Sequence, residues 1–157
     1  MDTLAIERIN PNDAREVERL APGLVGVVNT VVAEGPNMAL AGKMTMEQVK
    51  SWINELGDKG GMFYALVRDH VVAFAALRAM EDDSGTARLG VWVLPEYRRR
   101  GLGTELSRAA IEHAREQGYR TLQGTIPGEN EPALSFFSAV GPLVAVAGGA
   151  MQYELPV

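Results

Sequence analysis

One stretch, Ala87 to Glu116 (ARLGVWVLPEYRRRGLGTELSRAAIEHARE), limits the possible folds more than any other part of the chain. Leu89 to Val93 is apolar and rich in β-branched residues, and reads as a buried strand. Pro95 ends it, because proline lacks a ladder donor and fixes φ. Arg98, Arg99 and Arg100 follow, then Gly101-Leu102-Gly103, then a pattern in which Leu102, Leu106, Ala109, Ala110 and Ala114 share one helical face. Gly118 marks the stop. A strand, a basic glycine-containing turn and a helix whose unpaired N–H groups point back at the turn make an anion site. The donors are free, the dipole is positive there, and glycine allows close backbone approach.

Two familiar phosphate loops fail on residues. No G-x-x-x-x-G-K-[ST] run exists, and Gly101-Leu102-Gly103 is followed by Thr104, Glu105 and Leu106 without a third glycine. The next strand also ends in Thr125-Ile126, with no acidic residue for a ribose. What remains is R-x-x-G-x-G from Arg98 to Gly103, preceded by V-x-P-x-Y at Val93, Pro95 and Tyr97. This closely resembles the acyl-CoA-binding motif of the GNAT family of N-acetyltransferases.

The rest of the chain is compatible with one domain spanning residues 1–157. That length buries about two-thirds of the unfolded surface. The net charge of −5 argues against nucleic acid or an anionic membrane as partner and mildly favours a cationic substrate. There is no cysteine, which excludes disulfides, thiolate metal ligands and a cysteine nucleophile, and the two histidines are too far apart to suggest a metal site. The uncharged runs are too short to span a bilayer and no signal peptide is visible, so the expected compartment is the cytoplasm.

Taken in order, Leu4 to Ile9 reads as an edge-like strand. A helix follows Asn10-Pro11-Asn12-Asp13 toward Leu20, Pro22-Gly23 is expected to break it, and a second helix is expected over Leu24 to Ala33. Thr45-x-x-Gln48 is a capping box that opens a helix up to Gly57. Met62 to Val67 and Val71 to Leu77 form a hairpin around Arg68-Asp69-His70, and Glu81 to Gly85 is a second turn leading to Ala87 to Val93. After the long helix, Arg120 to Ile126 must run parallel to the strand before it, because the crossover is helical. A helix over Asn130 to Ala139 and strands over Leu143 to Ala147 and Ala150 to Leu155 complete the chain. The fold class is thus α/β (α+β): a mixed, mostly antiparallel sheet flanked by helices, an order that matches the GNAT fold.

The resemblance implies splayed parallel central strands, with the pantetheine arm of acetyl-CoA in the gap. Gly90 sits where a bulge of that strand could form, with a packing glycine as the alternative. By resemblance, the segment Val91, Trp92 and Val93 meets the pantetheine amides, and a backbone N–H such as that of Val93 polarises the thioester carbonyl. The backbone of Arg98, Arg99, Arg100, Gly101, Leu102, Gly103 and Thr104 cradles the diphosphate, with the arginine side chains outside it. Asn130 binds the arm or simply caps its helix, and Phe137 packs on the arm. Phe137 stands where the family usually has the tyrosine that protonates the departing thiolate, so Ser135, or else Ser138, is the candidate to orient a water instead, with a solvent-facing or backbone-bonded serine as the alternative. Glu34, in the region that shapes the acceptor pocket of this family, is the candidate general base, with a plain surface glutamate as the alternative. The implied activity is acetyl transfer from acetyl-CoA to a primary amine by direct attack, with a small amine or cationic metabolite as acceptor and no metal. Two alternatives stay open: a peptide or protein acceptor, and a non-catalytic acyl-CoA sensor. A homodimer is the family-level expectation.

Overall fold

The computed structural model describes residues 4–34, 42–80, 83–126, 143–145 and 151–157. In chain order the elements are β1 (Leu4–Arg8), α1 (Ala14–Ala33), α2 (Met46–Leu56), β2 (Gly61–Val67), β3 (His70–Met80), β4 (Asp83–Val93), a 3-10 turn (Pro95–Tyr97), α3 (Leu102–Glu116), β5 (Thr121–Ile126), β6 (Leu143–Ala145) and β7 (Met151–Pro156). The strands form one seven-stranded sheet in the order β1-β2-β3-β4-β5-β7-β6. Among the described residues only β4 and β5 pair in parallel; the other neighbours are antiparallel. The mixed, mostly antiparallel sheet flanked by helices is therefore as expected. The helix expected over Asn130 to Ala139 lies outside the described residues.

The continuous apolar runs of β2 and β3 follow from burial on both faces. With a side-chain period of two, Phe63, Ala65, Ala75, Leu77 and Leu89 join Leu102, Leu106 and Ala110 of α3 in one layer. Met62, Tyr64, Phe74, Ala76 and Trp92 join Leu20, Leu24, Val28 of α1 and Val49, Ile53 of α2 in the other. The β2–β3 turn places Arg68 at φ 52° and Asp69 at φ 64°, the pair of left-handed residues that a two-residue hairpin needs.

The two N-terminal helices expected around Pro22-Gly23 are one. α1 starts at Asp13, whose carboxylate accepts from the N–H groups of Arg15 and Glu16, and runs to Ala33 with Pro22 inside it. Pro22 faces solvent, while Val17, Leu20, Ala21, Leu24, Val27, Val28 and Val31 form one unbroken buried stripe across it. An interior proline costs about 3 kcal/mol, and each buried valine or leucine contributes about 1.5–3 kcal/mol, so the stripe decides. Gly23 is a contact rather than a break: a β carbon there would meet Val71 Cβ at 2.8 Å. The turn expected over Glu81 to Gly85 is also shorter than anticipated, because β4 already begins at Asp83, paired with Met80.

α2 has both halves of the capping box, Gln48 N–H to Thr45 Oγ1 at 3.2 Å and Thr45 N–H to Gln48 Oε1 at 2.9 Å. Of the two readings of Gly90, the bulge fails. The β3–β4 register is continuous from Ala73↔Val93 to Ala79↔Ala87, and the irregularity falls between Ala79 and Met80. Among the described residues no helix is long and apolar enough to cross a membrane.

Candidate functional site

The β4–β5 ladder contains only three pairs, from Thr86↔Thr121 to Arg88↔Gln123, although β4 continues to Val93 and β5 to Ile126. Beyond Arg88 the two parallel strands separate, as anticipated. On the other side of β4 the ladder to β3 continues, and it ends with Leu94 N–H donating to Val72 O at 2.9 Å. Antiparallel pairing alternates, so the even-numbered residues of β4 direct their N–H and C=O groups at β3. Val91 and Val93 direct theirs into the gap beside β5. An edge of this kind presents donors and acceptors spaced for an extended amide-containing chain.

The start of α3 lies next to that edge. Its first intrahelical bond is Glu105 N–H to Gly101 O at 3.0 Å, which leaves the amides of Leu102, Gly103 and Thr104 without intrahelical acceptors. Among the described residues no side chain caps this end, and the N-cap residue Gly101 is left-handed at φ 82°. A β carbon on Gly103 would find as its nearest neighbour Val91 Cγ1, at 3.9 Å. The uncapped helix end and the unzipped strand edge therefore form one continuous surface. These donors and the positive end of the helix dipole fit a diphosphate, and the adjoining gap fits the extended amide arm attached to it.

The three arginines are not equivalent. Arg99 and Arg100 are exposed, and Arg100 Cζ lies 5.2 Å from the centroid of the Tyr97 ring. The Arg98 side chain turns away from the helix end. Its Nη1 donates to Glu34 Oε2 at 2.8 Å, its Nη2 to Glu34 Oε1, and its Nε to the carbonyl of Val93 at 3.0 Å. Its backbone N–H donates to Pro95 O at 3.3 Å. Arg98 thus belongs to the frame of the turn, and the amides facing the helix end are those from Gly101 onward.

Glu34 caps the C-terminus of α1, and both its oxygens accept from Arg98. The hydrogen bonds from Arg98 hold its carboxyl below the usual carboxylate value, outweighing a small opposing effect of burial. The same pairing pushes the Arg98 guanidinium further up. A carboxylate held in this way is a poorer proton acceptor than a free one, so the structure offers Glu34 as a partner of Arg98 beside its expected role as general base. Sequence inspection missed the pairing because 64 positions separate the partners and no local pattern links them.

The histidines are placed elsewhere. His113 Nε2 lies 3.1 Å from Asp58 O and 3.0 Å from Gly60 O, and since carbonyls only accept, that nitrogen carries the proton. Arg8 Nη2 reaches the same turn, donating to Gly57 O and Gly60 O at 2.9 Å each. His70 is exposed at the first position of β3. Trp92 points away from the gap plane into the layer beneath α1 and α2, where its ring centroid lies 5.7 Å from that of Trp52 and 4.9 Å from that of Phe74. Asn130, Ser135, Phe137 and Ser138 lie outside the described residues.

A parallel pair that opens beside an uncapped helix end is a shape suited to a phosphate-tailed, amide-bearing chain, and comparison with known proteins places the fold that carries it. A sequence model described as "Acetyltransferase (GNAT) family" matches residues 34–141. The chain belongs to this family. It is 30% identical over 89 residues to an uncharacterized N-acetyltransferase of Methanocaldococcus jannaschii, a match that covers 54% of this chain and 39% of that relative. A GNAT-family acetyltransferase of Streptococcus pneumoniae superposes with a TM-score of 0.76 at 20% identity, over 99% of this chain and 100% of the other. The protein yncA of Salmonella typhimurium, solved with its cofactor acetyl-CoA, gives 0.76 at 16% identity over 98% and 93% of the two chains. Ribosomal-protein-alanine N-acetyltransferase of Brucella melitensis gives 0.77 at 20% identity over 98% and 99%. At these identities the structural likeness speaks for the fold.

Proposed function

We propose that this chain transfers an acetyl group from acetyl-CoA to a primary amine by direct attack. The observation that carries the reading is the end of the β4–β5 ladder after Arg88, beside the uncapped amides of α3. Acetyl-CoA brings an activated thioester, a two-amide arm and a diphosphate. The amides of Gly101 to Thr104 receive the diphosphate, with Arg99 and Arg100 at its outer side. The gap-facing groups of Val91 and Val93 pair with the arm, and the Val93 N–H meets the negative charge that develops on the thioester oxygen. By resemblance, Asn130 binds the arm, Phe137 packs on it, and Ser135 orients a water toward the departing thiolate. The acceptor nitrogen, an ammonium of ordinary pKa near ~10, gives up its proton before it attacks. With Glu34 tied to Arg98, solvent takes that proton. No covalent enzyme intermediate is formed, as there is no cysteine nucleophile.

A small amine or cationic metabolite is the acceptor that the net charge of −5 favours. A peptide N-terminus is the second reading, favoured by the likeness to a ribosomal-protein-alanine N-acetyltransferase. Thiol release from acetyl-CoA, followed with purified protein and a panel of small amines and short peptides, tests both. Release with an amine of either kind supports transfer and sorts the acceptor class. Tight coenzyme A binding without release across the panel would favour a non-catalytic sensor, and absence of binding would remove both readings.

A further inference from the structure

We infer that Glu34 is a positioning residue that acts on coenzyme A through Arg98, holding the turn between β4 and α3 in the shape that binds the diphosphate. The inference rests on the acetyl-CoA reading above and concerns how its site is kept in order. The connection from Val93 to Leu102 is anchored as far as Tyr97, by Leu94 N–H to Val72 O and Tyr97 N–H to Leu94 O at 2.9 Å each and by packing of Leu94 and Tyr97 on the core. From Arg98 onward little among the described residues fixes it. It contains one 3-10 turn, a long bond from Arg98 N–H to Pro95 O at 3.3 Å, and two left-handed residues, Arg99 at φ 64° and Gly101 at φ 82°. Arg99 has a β carbon and is disfavoured there, so the turn needs support from outside itself.

Arg98 supplies it. One guanidinium joins three places: the last carbonyl of β4, its own position in the turn, and the C-cap of α1. The geometry has a second effect. Val93 directs both its N–H and its C=O into the gap, and Arg98 Nε takes up the C=O. What the gap then offers at Val93 is a donor alone, suited to a carbonyl oxygen of the substrate and not opposed by a neighbouring lone pair. Arg98 can do this only while its Nη atoms are held from the far side by Glu34, which fixes the plane of the guanidinium.

The side chains of the pair are 43% and 38% exposed, and an ordinary exposed ion pair adds little to global stability. The pair is instead bidentate, with a third directional bond, so it orders a local segment. Its loss is therefore read in cofactor binding, through the ordering that binding must then supply, and hardly at all in unfolding.

The test uses E34Q, R98K and the double variant E34Q/R98K, with coenzyme A titrated calorimetrically and acetyl transfer followed at steady state. Glutamine leaves one acceptor without the charge; lysine cannot bridge Glu34 and Val93 at once. Each single change should raise the coenzyme A Kd and the acetyl-CoA KM by about five- to tenfold. The double variant should be no weaker than the weaker single one, since both break the same link. The kcat at saturating acetyl-CoA should fall by no more than about fivefold, as the Val93 N–H regains a competing C=O beside it, with an unchanged pH profile, and melting temperatures should stay near wild type. Unaltered affinity in E34Q, or losses that add in the double variant, would overturn the inference. So would a collapse of kcat with loss of the acidic limb of its pH profile, the mark of a general base. If R98K does not fold, E34Q alone, which is isosteric, still separates a positioning role from a general base and from no role. A wild-type protein that ignores coenzyme A would overturn the transferase reading instead, so the two failures are distinguishable.

Discussion

The indole of Trp92 lies over Gly90, two residues back on the same face of β4, so closely that a β carbon on residue 90 would come within 2.4 Å of Cη2 and 2.9 Å of Cζ2. Elsewhere in a strand interior, replacing glycine by alanine stabilises by about 0.5–1 kcal/mol. Here the indole cannot retreat, since it is edge-on to Trp52 and against Phe74 in a layer with Trp92 itself only 6% exposed. Overpacking of this kind costs about 1–3 kcal/mol and wins. G90A should therefore lower the denaturation free energy by about 1–2 kcal/mol and weaken the near-UV dichroism of the tryptophans. In a W92L background the same glycine-to-alanine change should cost little, and an equally stable G90A would refute the contact.

The Gly90–Trp92 contact shows which parts of this fold are legible in the sequence. Signals carried within a few residues are legible: Thr45 and Gln48 cap α2 as their spacing implies, and Pro95 ends β4. The arginine turn and the start of α3 at Leu102 are also local, as is the parallel pairing that a helical crossover forces. Signals that depend on what lies opposite are not legible. Pro22 and Gly23 are breakers by local preference, yet a buried stripe on a neighbouring sheet carries the helix through them. The contacts of Gly90, and the partner that removes Arg98 from the phosphate side, exist only after folding. Of the candidate site, the glycine-containing turn and the start of α3 could be read, and the partners of its side chains could not.

Gly103 allows a test of ligand approach separate from the fold. It lies in the first turn of α3, where alanine is favoured over glycine by up to about 1 kcal/mol, and among the described residues its added β carbon would touch only Val91 Cγ1 at an ordinary 3.9 Å. Among the described residues nothing needs glycine there. G103A should melt at the same or a higher temperature, while coenzyme A binds more weakly by about tenfold, and G103V more weakly still. Undiminished binding by G103V would move the diphosphate away from the α3 terminus.

With Arg98 engaged by Glu34, the proposed acetyl-CoA site leaves Arg99 and Arg100 to face the phosphates. R99Q and R100Q should each weaken coenzyme A binding by roughly three- to tenfold and reduce its sensitivity to salt, because exposed charges act through a screened field. Pantetheine lacks the diphosphate and should bind both variants as it binds wild type. Titration of the two ligands side by side checks this, and equal losses for both would show that the arginines act on the turn and not on phosphate.

Tyr64 and Tyr119 predict opposite outcomes for one substitution. The Tyr64 hydroxyl donates to Glu7 Oε2 at 3.0 Å, whereas the buried Tyr119 hydroxyl has no partner among the described residues. Y119F removes an unsatisfied polar group and should stabilise the protein by roughly 1 kcal/mol; Y64F removes a bond to a carboxylate and should destabilise it by a similar amount. Both phenols have their pKa raised above the ordinary value of 10.0, Tyr119 by burial, Tyr64 by burial and then by Glu7. A raised pKa means the fold favours the protonated form. The stability it contributes is complete below pH ~10 and is lost as pH rises through the folded-state pKa. Each phenylalanine variant should therefore lose less stability than wild type on going from pH 9 to pH 11. Chemical denaturation across that range checks the slope, and a Y119F curve parallel to wild type would place the Tyr119 hydroxyl in water.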